Sequence, residues 1–249
     1  MSDLINKLIL ILTIFIFLLP GYIKSQKKDS SSYYLQFNTT GSYNRTNQFR
    51  SFLISNSIKL SAKKSDLKSN FAANWLYGRQ QEVLVNNDFS GTFDVNLYRT
   101  LPHFYYWAIL SYNSSFSLKI NHQVQTGLGI AYNLIEKKYL QLNISDGLIY
   151  DYTDLILDDT IRDINQTPRN SFRIQIKAWA SDKLTFITTS YLQNSLRTAS
   201  DVIIKSESTV QVRLKKWIAL NMRFTYNKFS RTQKENFFIT YGVILEQHF

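Results

Sequence analysis

The residues of this chain that could do chemistry are few and far apart. There are three His in 249 residues, His103, His122 and His248, and no Cys. A hydrolase would need a Ser nucleophile and a His base within hydrogen-bond reach. His122 is followed by Gln123 and Val124, and no His-x-Ser pattern occurs. No set of nucleophile, base and oxyanion donor can be assembled, so no catalytic residue is assigned and no enzyme activity is expected. Without Cys there is no disulfide framework, no thiolate metal centre and no lipid-modified Cys.

The densest acidic stretch runs from Thr153 to Ser171 and carries Asp154, Asp158, Asp159 and Asp163 against Arg162 and Arg169. Ca²⁺ takes oxygen ligands, which four Asp can provide. The spacing is not that of an EF-hand, and the stretch has no Gly for a sharp turn. It reads instead as a solvated loop, or as one bridged to lipopolysaccharide through divalent ions. No metal site and no cofactor is expected.

The remaining chemistry is charge placed at alternate positions. Lys59, Lys68, Arg173, Lys177, Lys205, Arg213 and Arg223, with Asp88, Asp94, Glu207 and Glu246, fall on the polar side of segments whose other side is apolar. Cations on a lipid-facing side would cost roughly 2–4 kcal/mol each at a bilayer midplane, so they belong on an inner, wet side. Two readings stay open. The inner charges line a narrow pore with anion preference, or they pair with one another and with Gln and Asn to fill the interior.

The net charge of +11 and the pI of about 9.6 rest on basic residues scattered along the chain. Such scatter, with an export signal, excludes nucleic acid as the partner. Attraction to anionic lipid or lipopolysaccharide competes with the plainer reading that Lys and Arg line water-facing surfaces.

These charges must be carried by strands. The start reads as a secretory signal peptide over residues 1–25: Lys7, then the apolar run Leu8 to Leu19, then Pro20 and Gly21, with cleavage expected after Ser25. That run is too short for the roughly 20 residues of a spanning helix, and no later run approaches that length. Residues 26–32 read as a short polar periplasmic lead. From residue 33 to 249 about twelve segments follow, mostly alternating apolar and polar. Most are close to the 9–11 residues or so that a tilted spanning strand requires.

The clearest is Asp88 to Tyr98, where Phe89, Phe93, Val95 and Leu97 oppose Ser90, Thr92, Asp94 and Asn96. The segment His103 to Tyr112 is aromatic on both sides, and its register is open. Short links at Lys63–Asp66, Arg99–Pro102, Ile135–Tyr139, Ser181–Lys183 and Lys215–Trp217 alternate with longer ones. The longer ones are Arg45–Arg50, Gly78–Asn87, Asn113–Asn121, Thr153–Ser171, Asn194–Asp201 and Lys228–Asn236. This is the parity of a barrel with both termini on the periplasmic side. The fold class is all-β, a transmembrane antiparallel up-and-down barrel of about twelve strands. Twelve is intermediate, since about eight strands are filled by side chains and roughly 16–18 leave a channel.

The last segment, Phe237 to Phe249, sets Tyr241, Leu245 and Phe249 on its apolar side and ends on an aromatic. It resembles the closing strand of bacterial outer-membrane barrels, which implies that it is the signal read by the barrel-assembly machinery. The chain from about Tyr33 onward is similar to the DUF481 family of salt-induced outer-membrane proteins. The resemblance lies in the successive amphipathic strands and in Thr126-Gly127-Leu128-Gly129-Ile130-Ala131-Tyr132-Asn133-Leu134. Leu140-Gln141-Leu142 and Ser145-Asp146-Gly147-Leu148-Ile149-Tyr150 also carry it. It implies an outer-membrane barrel and no particular activity.

The function expected is a structural barrel or a narrow passive channel with a basic polar lumen. The alternatives are a barrel that binds a surface ligand through its outer loops, and a soluble periplasmic lipocalin-like barrel. The last would use about eight strands with its apolar side inward. Oligomeric state is not legible.

Overall fold

In hydrocarbon every backbone N–H and C=O must be bonded within the protein, and a sheet achieves this only by closing on itself. The computed structural model, which describes residues 31–46, 49–98, 101–158 and 161–249, shows that closure. Its twelve strands are β1 (Ser31–Thr46), β2 (Phe49–Lys64), β3 (Leu67–Gln80), β4 (Val83–Leu97), β5 (Phe104–Ser115) and β6 (Ile120–Lys137), then β7 (Leu140–Asp158), β8 (Ile161–Trp179), β9 (Leu184–Ser195), β10 (Val202–Lys215), β11 (Ile218–Phe229) and β12 (Lys234–His248). Each is antiparallel to the next, and β12 returns to β1 from Tyr34↔His248 to Gly41↔Tyr241. The last residue completes the seam: Phe249 N donates to Tyr33 O at 3.0 Å and Tyr33 N to Phe249 O at 3.1 Å. The expected signal peptide, and the proposed lead up to residue 30, lie outside the described residues. Ser31 and Ser32 already belong to β1.

The apolar side faces out. Phe71, Trp75, Phe93, Leu110, Leu128, Leu148 and Leu220 are exposed, while Gln125, Asn143, Ser145, Gln193, Gln211 and Asn221 are buried inside. This polarity is opposite to that of a lipocalin-like barrel.

The long connections expected from sequence are shorter in the structure, because the strands run on. β3 and β4 meet across Gln81 and Glu82, with φ of 46° and 66°. Two left-handed residues give the turn that twists with the strands, a turn usually signalled by Asn-Gly. Without that signal the sequence reads as a loop from Gly78 to Asn87. The expected loop from Thr153 to Ser171 is likewise corrected to a hairpin: β7 and β8 are 19 residues each and leave only 159–160 between them. A tilted strand spans hydrocarbon in about 9–11 residues, so the distal parts of β7 and β8 project beyond it. There no lipid enforces alternation, and Leu155-Ile156-Leu157 interrupts the pattern while the ladder continues.

The ambiguous fifth strand takes the register that puts Tyr105, Trp107 and Ile109 inside. Trp107 sits in register with Gly129, and Gly129 with Gly147. A Cβ on either Gly would lie 2.5 Å from the Trp107 ring, and one on Gly129 would lie 2.3 Å from Asp146 O. The two Gly are therefore the floor on which the indole rests. Replacing Gly129 with Ala should lower the thermal stability of the refolded barrel. The same change at outward-facing Gly91, where the nearest atom would be 3.8 Å away, should leave it unchanged. Loss of the compact form on unboiled gels against temperature measures both.

Candidate functional site

The lumen is the place where polar side chains converge, and it has three levels. The end of the barrel that carries Ser31 and Phe249 is the terminal end; the other is the distal end.

At the terminal end, strand register turns Lys59 of β2, Lys68 of β3, Lys177 of β8 and Arg213 of β10 inward. Lys177 lies within electrostatic range of Lys59, Lys68 and Arg213, so cations from opposite walls share one space. Two carboxylates accompany them. Glu246 pairs with Arg213 at 3.0 Å and accepts from Tyr34 Oη at 3.1 Å. Asp94 accepts from Asn70 Nδ2 at 2.7 Å and Asn96 Nδ2 at 2.6 Å. Among the described residues no carboxylate lies within ion-pair distance of Lys59, Lys68 or Lys177.

At mid-height side chains of non-adjacent strands bond across the lumen. Arg173 donates to Tyr105 Oη at 2.9 Å and Asn143 Oδ1 at 2.8 Å, and Tyr191 lies beside it in register. Gln125 of β6 donates to Gln193 of β9 at 3.0 Å, a bond between strands that are not neighbours in the sheet. A cavity of about 100 Å³ remains, lined by Asp94, Trp107, Gln125, Arg173 and Tyr191 among others. Arg223 and Glu207 approach at 3.7 Å on adjoining strands. The ammonium of Lys205 lies 5.4 Å above the Phe229 ring, apart from the terminal-end cations.

The distal end holds a buried apolar cluster. The β5–β6 connection sends Leu118 into a buried apolar cluster with Ile120, Leu155, Ile203 and Phe229, drawn from opposite walls. Asn236 of β12 donates to Ser117 Oγ at 3.1 Å and holds the same connection across the mouth. Beside it Arg169, 1% exposed, donates to Asp151 Oδ2 at 2.6 Å and to Asp201 Oδ2 at 2.8 Å. Gln123 satisfies the other Asp151 oxygen at 2.9 Å, and Arg231 joins Asp201 to Asp163. A buried charge set of this kind is tolerated only when its lone pairs and protons find partners.

The structure thus unites Lys59, Lys68, Lys177 and Arg213, with Arg173 at mid-height beyond them, and leaves Lys205, Glu207 and Arg223 outside that group. The reading from sequence missed Arg169, which it left in a loop, and the inward aromatics Tyr105 and Trp107. A signal for Arg169 was present: Thr167, Arg169, Ser171, Arg173, Gln175 and Lys177 form one unbroken alternate series. Tyr241, Leu245 and Phe249 all stand exposed beside the β1–β12 seam. His103 meets Glu136 at 2.8 Å and His122 meets Tyr112 Oη at 2.7 Å, both exposed.

Fold and lumen together define an outer-membrane-type β-barrel. The chain belongs to the DUF481 family, a family described as proteins of unknown function, whose model matches residues 40–247. No curated protein matches the sequence. Among solved structures, the NanC porin is similar at a TM-score of 0.53 and 9% identity, covering 85% of this chain and 99% of that one. The COG4313 outer-membrane channel from Pseudomonas putida F1 is similar at 0.51 and 11% identity, covering 92% and 99%.

Within the acidic stretch Asp154 and Asp163 are engaged by Arg. Among the described residues no group of three or more His, Asp or Glu converges. Asp154 accepts from Asn121 Nδ2 at 2.7 Å and from the Arg162 guanidinium, while Asp163 meets Arg231. The bond to Arg162 holds the Asp154 carboxyl below the usual carboxylate range. A depressed folded-state value means that this pair supports the projecting hairpin above the ordinary carboxylate pKa, and that support fades as pH falls through the lower folded value. Protease nicking of the hairpin should therefore rise in strong acid and not between neutral and weakly acid pH. Asp154→Asn should remove the pH step. Peptide mapping after an acid-active protease, over a pH series, reads both.

Proposed function

We propose that this chain is an outer-membrane channel that rests closed and favours anions. One observation carries the reading: Lys59, Lys68 and Lys177 converge in the lumen, and among the described residues no carboxylate lies at ion-pair distance from them. Cations that fill a lumen structurally would be paired, because an unpaired buried charge is costly. Cations left free in a wet vestibule attract and pass anions. In this reading the terminal end is the periplasmic mouth and the Arg173–Tyr105–Tyr191 level is the filter. The Leu118 cluster is the outer gate, supported by the Arg169 network. The likeness to a porin and a channel supports the fold this function needs, and the charges supply the selectivity.

Planar-bilayer conductance of the refolded mature chain tests it. The native barrel should conduct rarely. Leu118→Gly, which removes the side chain at the centre of the apolar seal, should open frequent steps with anion preference. Adding Lys59→Glu and Lys68→Glu should reverse that preference. A compact Leu118→Gly barrel that stays silent, or that prefers cations with its lysines intact, refutes the proposal.

The closing strand completes the reading. We propose that the exposed face formed by Tyr241, Leu245 and Phe249 is what the assembly machinery engages, since it borders the β1–β12 seam that closes the sheet. Phe249→Asp should lower the amount of barrel in outer-membrane fractions while the purified chain still refolds in detergent. Unchanged membrane levels count against this.

A further inference from the structure

One wall of the barrel does not match the hydrocarbon it faces. The outward positions of β7 run Ile144, Asp146, Leu148, Tyr150, so a carboxylate interrupts the apolar belt well inside its rim. In register beside it stand Ile130 and Phe172, both exposed and apolar. Asn170 donates to Asp146 at 2.9 Å. Asn170 lies in register with outward Asn194 of β9, whose carboxamide makes no hydrogen bond among the described residues. Along β9 and β10 the same face continues with Ser190 against Ser206 at 2.8 Å and Thr188 against Ser208 at 2.6 Å. The wall of β3–β5 presents Phe71, Trp75, Phe89, Phe93 and Leu110 instead, and β1–β2 carries one self-satisfied polar pair, Thr39 with Asn56 at 2.9 Å.

Ionisable side chains inside a membrane face protein or water rather than lipid. We infer that the outer face of β7–β10 packs in the bilayer against the same face of a second copy of this chain. The patch is complementary to itself. Asp146 is an acceptor with oxygen lone pairs to fill, and Asn194 and Asn170 carry free amide N–H donors. A two-fold axis through such a patch sets each copy's carboxylate against the other's carboxamides. The hydroxyl pairs satisfy one another, and small side chains let the two sheets approach closely. A purely apolar partner, or lipid, leaves the carboxylate with the Asn170 bond alone among the described residues.

The chain has no Cys, so one introduced Cys reports the contact without background. Leu192→Cys lies inside the patch, and Phe71→Cys on the opposite wall. After oxidation in outer membranes, Leu192→Cys should give a disulfide-linked dimer about ten-fold above Phe71→Cys. Adding Asp146→Leu to Leu192→Cys should reduce the dimer to the Phe71→Cys level while unboiled gels show an intact barrel. Asn194→Leu supplies the same reading should the Asp146 variant fail to assemble. Equal linking at Leu192 and Phe71, or a dimer that neither patch variant reduces, overturns the inference.

Discussion

Everything in this barrel depends on the β1–β12 ladder. Backbone groups at an open sheet edge would each cost several kcal/mol in hydrocarbon, so an unclosed sheet of these strands is not a membrane structure at all. Eight register pairs and the reciprocal bonds between Tyr33 and Phe249 make the closure. Closure then sorts every side chain. Once the sheet is a cylinder, alternate positions are either in lipid or in the lumen, and a slip of one residue would exchange the two sets.

Closure also creates a volume to be filled or left wet, and this chain does both. At mid-height Trp107 occupies the space that Gly129 and Gly147 leave, and Gln125 and Gln193 span the remainder. Small residues on one wall and a large one on the next make a packed layer without distorting the cylinder. At the distal end the fill is apolar plus a saturated ionic set around Arg169. At the terminal end Lys59, Lys68 and Lys177 turn inward without a carboxylate at ion-pair distance among the described residues. Paired charge at one end and unpaired cations at the other distinguish the two halves of the same lumen.

The lipid face obeys the same accounting over most of its area, a Thr39–Asn56 pair on β1–β2 aside. Most of its belt is aromatic and aliphatic, which lipid rewards, but the β7–β10 wall carries a carboxylate, carboxamides and hydroxyls. Neither alternation nor closure requires them there. Their presence sets the demands of a contact against the demands of the solvent.

The sequence by itself determined the class, the strand count and the two faces. A period of two over segments of spanning length leaves the bilayer only one arrangement. The inward positions of Lys59, Lys68, Arg173, Lys177, Arg213 and Arg223 follow from the same alternation, because a misplaced cation in lipid is heavily penalised. Strand ends were poorly legible, since beyond the hydrocarbon the ladder continues without any pattern to mark it, as in β7 and β8. The inward turn of Tyr105 and Trp107 was not legible either, because both sides of β5 are aromatic. Only the tertiary structure decided which cations meet. Lys59 and Lys177 are far apart in sequence and on separate walls, and their encounter is set by the diameter and stagger of the closed barrel. It alone brought Leu118 to Phe229, for the same reason: contacts across a lumen exist only after the cylinder does.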